Sequence, residues 1–91
     1  MGTGLTCLVT VTLASYVQTI PPLPPVTIPV NVNLLVNVPF PETAGTVTID
    51  LFPLLGVVGT ITVPCPSVTT QVVAITPILS ANLIITVSEA P

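Results

Sequence analysis

A two-residue period runs through this chain almost from end to end, and it limits the fold more than any other feature. It is clearest at residues 26–38, VTIPVNVNLLVNV. Every even position there is apolar: Val26, Ile28, Val30, Val32, Leu34, Val36 and Val38. The odd positions hold Thr27, Pro29, Asn31, Asn33 and Asn37, with Leu35 as the exception. Side chains alternate between the two faces of a strand, so this run predicts one apolar face and one uncharged polar face. On a helix the same residues would be smeared around the circumference, and β-branched residues dominate them. Pro29 lacks a backbone donor, which predicts an edge, a bulge or the start of pairing at that point.

The same pattern returns along the chain between turn signals. Residues 5–20 alternate, with Leu5, Cys7, Val9, Val11, Leu13 and Val17 on one face and Thr6, Thr10, Thr12, Tyr16 and Gln18 on the other. Residues 46–52, 57–63, 67–76 and 78–88 read as further strands, separated by Pro39–Gly45, Pro53–Gly56, Pro64–Pro66 and Pro77. Gly59 is expected to mark a bulge or a close approach. No segment combines helix caps with a 3.6-residue period, so no helix is expected. Strands of this number and spacing predict an all-β fold, a small jelly-roll-like or Ig-like β-sandwich of six to seven strands. At 91 residues the chain is one small domain.

Residues 21–25 read Pro-Pro-Leu-Pro-Pro. Pro21, Pro22, Pro24 and Pro25 cannot join a ladder and favour an extended, stiff conformation. Two readings follow. The segment either connects two strands of one domain, or acts as a hinge that holds an N-terminal arm (residues 1–20) away from a body (residues 26–91). In the second reading the N-terminal segment is a donor strand for a neighbouring copy, with Leu5, Val9, Val11, Leu13 and Val17 as its docking face.

Charge then narrows function. The chain has no Lys, Arg or His and only three acidic residues, Glu42, Asp50 and Glu89. Without cations it has no means of binding nucleic-acid phosphates or of attraction to anionic lipid. Ser and Thr hydroxyls have no general base beside them, and three scattered carboxylates make neither an acid–base pair nor a metal cage. The chain is expected to be no enzyme and to need no cofactor or metal. Mean hydropathy is high, +1.09, yet Thr, Asn, Ser, Gln and Pro interrupt every apolar run, so no membrane-spanning helix is expected. The opening residues alternate with Thr and have no basic lead, unlike a secretory signal.

Cys7 and Cys65 are the only cysteines. They could be buried thiols, one intrachain bridge, or bridges between subunits. The placement of Cys7 on the expected arm and Cys65 between two prolines suits a lock between an arm and a neighbouring body. Monomeric sheet proteins usually guard their edges with Lys or inward charges. This chain has prolines instead, which suggests that its edges are occupied.

A strand ahead of a proline hinge, a small uncharged β-sandwich and a cysteine near the N-terminus together resemble the subunits of strand-exchange fibres, among them bacterial endospore appendage subunits. Cys7, residues 21–25 and the strand pattern carry the resemblance, although residues 5–20 are longer than the N-terminal connector of that family. The resemblance implies a jelly-roll subunit that polymerises by β-strand addition, with bridges between subunits, in an extracellular or spore-surface filament whose partners are copies of itself. The alternative is a small binding module for lipid or carbohydrate, using an apolar cavity or the Thr-rich faces.

Overall fold

Six antiparallel strands and one helical turn carry almost all of the chain in a computed structural model that describes residues 6–90. The strands are β1 (Thr6–Gln18), β2 (Val26–Pro41), β3 (Thr46–Asp50), β4 (Thr60–Pro64), β5 (Ser67–Thr76) and β6 (Leu79–Glu89), with α1 (Phe52–Leu55) between β3 and β4. A four-stranded sheet has the order β2-β1-β6-β5, and β3 and β4 form a second sheet. Every ladder except β1–β6 joins strands adjacent in sequence. The result is an all-β, sandwich-like fold built from hairpins.

Alternation places the core between the two sheets. Cys7, Val9, Val11 and Leu13 of β1 and Ala81, Leu83, Ile85 and Val87 of β6 are buried on one face of the larger sheet. Val47 and Ile49 of β3, Leu51, and Val63 of β4 close over them. Fully burying an aliphatic side chain of this size contributes about 1.5–3 kcal/mol, so this cluster is the main source of cohesion in a chain without a cationic side chain. Thr and Asn line the outer face. Thr12 Oγ1 donates to Asn33 Oδ1 (2.9 Å) and the Asn37 backbone N–H donates to Thr10 Oγ1 (3.1 Å), linking β1 to β2.

The larger sheet outruns the smaller one. Five-residue strands reach about 17 Å, while the 13 residues of β1 reach about 44 Å. The molecule is accordingly long, 57 × 21 × 18 Å, with a radius of gyration of 14.7 Å, against about 12 Å for a compact chain of this length. One end is closed by β3 and β4; at the other end the larger sheet stands open.

Besides the extension of β2 through Pro39–Pro41, which were expected to belong to a loop, the strands differ from the sequence expectations in four places. First, the segment expected to leave as an arm is an interior strand: β1 lies between β2 and β6 of its own sheet. Residues 21–25 belong to the loop of the β1–β2 hairpin, tightened by Leu23 N–H donating to Ile20 O (2.8 Å). Val9, Val11 and Leu13 of the expected docking face are buried in their own core, and Leu5 lies outside the described residues.

Second, β1 changes face partway along. Leu13 pairs with Leu83 but Ser15 pairs with Asn82, so Ala14 is an extra residue relative to β6. Such a bulge reverses the parity of everything beyond it. Tyr16 therefore joins Ala81 on the inner face and Val17 joins Ser80 on the outer face, opposite to the sequence expectation.

Third, the perfect alternation of residues 26–38 does not produce one buried face. Between Val38 and Pro29, β2 takes nine residue steps against six for its partner segment Val9–Ser15, at three register shifts. Asn31 and Asn37 sit at φ 55° and 48°, a left-handed conformation that Asn tolerates because its short side chain bonds locally. Each bulge turns the pattern over, so Val32 and Val36 are exposed while Val30, Leu34, Leu35 and Val38 are half-buried.

Fourth, residues 52–55 form one helical turn where none was expected. Asp50 Oδ1 accepts from Phe52 N–H (3.0 Å) at its start, and Gly56, at φ 73°, ends it with N–H donating to Phe52 O (2.9 Å). A single turn is too short to show a helical period, although Asp50, Pro53 and Gly56 are the matching start and stop residues. The strand expected from residue 57 begins at Thr60, after Gly59 O has accepted from Leu51 N–H (2.9 Å).

Candidate assembly surface

Three surfaces remain once the core is assigned: the closed end, the two edges of the larger sheet, and the open end. The closed end holds the cysteines. Cys7 of β1 and Cys65, in the corner between β4 and β5, form a disulfide within the chain across a separation of 58 residues. The corner is fixed by Cys65 N–H donating to Gly45 O (3.1 Å) and Ser67 Oγ donating to Pro64 O (2.6 Å). This corrects the expected lock between subunits. Because β1 is an interior strand, Cys7 lies beneath the corner of its own chain, and neither sulfur is left for a neighbour.

The Glu42 carboxylate approaches the bridge, with Oε2 3.9 Å from Cys7 Sγ. A disulfide sulfur carries no hydrogen, so this approach is packing, and two sulfurs bonded to each other offer no thiolate to a metal.

The two edges of the larger sheet are built in opposite ways. The β2 edge carries three bulge residues, two left-handed Asn residues, and Pro29, Pro39 and Pro41, none of which can donate to an incoming strand. These are the usual means of making an edge unreceptive. The β5 edge has no proline and no left-handed residue, and its one register shift, between Ala74 and Thr76, falls near its end. Its ladder with β6 runs without a shift from Ser67–Val87 to Ala74–Ser80, and the strand contains no Pro, Gly or charge. Val68 and Val72 project from its outer face at 73% and 66% exposure, flanked by exposed Thr70 and Ala74. No ladder joins β5 to β4.

At the open end, register brings apolar side chains from four strands to the inner face of the sheet. Tyr16 lies opposite Ile28 and Ala81, Val73 opposite Ala81, and Gln18 opposite Val26 and Leu79. Val26 and Ile28 remain exposed there, as do Ile20, Leu23 and Ile78 in the two loops at the tip. No described helix is long and apolar enough to cross a membrane.

Of the three states left open for Cys7 and Cys65 by the sequence, the chain adopts the intrachain bridge, and the segment expected as an assembly strand lies inside its own sheet. Residues 67–76 lack the Pro and Asn that crowd residues 26–41. No protein-family model matches the chain, and comparison with curated proteins and with solved structures finds no match to its sequence or its fold.

Proposed function

We propose that the chain is a self-assembling structural subunit, a building block of an extracellular or cell-surface filament that polymerises through β-strand addition between copies. One observation carries this reading: an elongated sheet with exposed valines, isoleucines and leucines at its β5 edge and open end, in a chain without a single cationic side chain. Exposed apolar patches of this kind normally mark interaction sites. Charge that would keep neighbouring copies apart amounts to three acidic residues outside the β5 edge. The intrachain disulfide fits an oxidising setting such as the outside of a cell. Strand addition runs here through a free sheet edge, with β1 remaining in its own core. Resemblance to endospore appendage subunits belongs to the same proposal and extends to the class of object, a protein fibre.

The test is the state of the purified chain. Light scattering across a concentration series and negative-stain micrographs should show growth into elongated particles. A chain that stays monomeric at every concentration, and binds vesicles or glycans instead, refutes the reading in favour of a binding module.

A further inference from the structure

The β5 edge differs from every other edge among the described residues, and its own sequence fits it. We propose that two copies join by antiparallel pairing of β5 with β5 about a two-fold axis through Thr70, merging two four-stranded sheets into one of eight. This rests on the self-assembly reading and specifies its first contact.

Ten residues of β5 use only one side of the strand, against β6, and leave the other side open. Unpaired backbone groups at a sheet edge are a template for another strand. The candidate partners are few. The β2 edge is interrupted by bulges and prolines. The two strands of the small sheet are five residues each, β3 ending at Asp50 and β4 at Pro64. A second β5 remains as the long, regular strand free to pair.

Symmetry then sets the register. A two-fold axis perpendicular to the sheet keeps both outer faces on the same side and makes the contact isologous. With the axis at Thr70, Val68 of each copy faces Val72 of the other, and the two Thr70 residues face each other. On the inner face Thr69 meets Gln71, and Ser67 meets Val73. Facing Thr residues are among the cross-strand pairs that stabilise antiparallel sheets, and facing valines bury apolar surface. Both valines are exposed in the single chain, so pairing covers surface that its own core does not use. No acidic residue lies on the paired strands. A symmetric contact closes on itself, so the dimer is the repeating unit and the apolar open ends, one on each copy, are left to extend it.

The experiment compares three proteins by sedimentation velocity over a concentration series, with far-UV circular dichroism as the check on folding. They are the wild type, Val68→Lys/Val72→Lys, and the β2 control Val32→Lys/Val36→Lys. In the proposed register the first variant sets lysine opposite lysine at two places, while the exposure of both positions spares the fold. Its dimer dissociation constant should rise about tenfold or more, and the control should match the wild type. Hydrogen exchange in residues 67–76 should slow on dimerisation of the wild type and not of the variant. A folded Val68→Lys/Val72→Lys chain that associates as the wild type does overturns the β5 contact and leaves self-assembly standing. Loss of association in the β2 control alone overturns it in favour of the other edge. A wild type that is monomeric throughout removes the self-assembly reading, and this contact with it.

Discussion

Opening the Cys7–Cys65 bridge should destabilise the fold more than any single change on its surface. The bridge closes a loop with a sequence separation of 58. In the chain-entropy model, such a loop removes enough freedom from the unfolded state to contribute about 4 kcal/mol at 25 °C. A 91-residue domain has a total stability of about 5–14 kcal/mol, so the bridge accounts for a large share. Two perturbations separate its parts. Reduction of the wild type leaves both sulfurs in place and removes only the cross-link. Cys7→Ala/Cys65→Ala also empties the fully buried position of Cys7, adding about 1 kcal/mol of lost packing. Urea and thermal unfolding, followed by circular dichroism with and without a thiol reductant, should show a loss of about 4 kcal/mol on reduction. For a domain of this size that corresponds to a fall of about 15–30 °C in Tm. A loss below about 1 kcal/mol would refute the loop-closure reasoning. A non-reducing gel showing a ladder of covalent multimers would refute the intrachain pairing itself.

Four further outcomes are expected. Leu83→Ala, in the buried row of β6, should cost about 2–5 kcal/mol, whereas Val68→Ala at the exposed edge should stay within about 0.5 kcal/mol under dilute conditions; equal losses in urea titrations would contradict the burial assignment. Ala44→Asn should raise stability by about 1 kcal/mol in thermal melts, because Ala44 and Gly45 form a two-residue turn with φ 54° and 81°, a conformation that Asn adopts more readily than Ala. Molar NaCl should leave fold and assembly intact, since no cationic side chain exists to form an ion pair; salt-induced dissociation, read by light scattering, would reveal an electrostatic contact. A protease that cuts after aliphatic and aromatic residues should act first at Val58, which is 90% exposed and followed by Gly59, since the exposed Leu23 and Phe52 each precede a proline; early cuts within Thr6–Gln18, located by mass spectrometry, would show that β1 is not an interior strand.

Local rules were legible in the sequence because they depend on neighbours along the chain. Alternation gave the strands, and prolines and glycines gave the turns. The absence of Lys, Arg and His left no cationic side chain to form an ion pair, whatever the fold. Tyr16 and Val17 show where that legibility stops. Their faces depend on one extra residue at Ala14, and a bulge is defined only against the strand beside it. The same holds for residues 26–38, where the most regular pattern in the chain became the most broken strand, because Asn31 and Asn37 adopt left-handed conformations that polarity alone does not signal. Strand order lay further still from the sequence. An alternating segment ahead of a proline run is compatible with an arm or with a hairpin, and the choice follows from whether β6 returns to pair with β1. That pairing spans nearly the whole chain, and it settled three things together. It buried Val9, Val11 and Leu13, brought Cys7 beneath Cys65, and left β5 as the edge without a neighbour, none of which any short stretch of residues encodes.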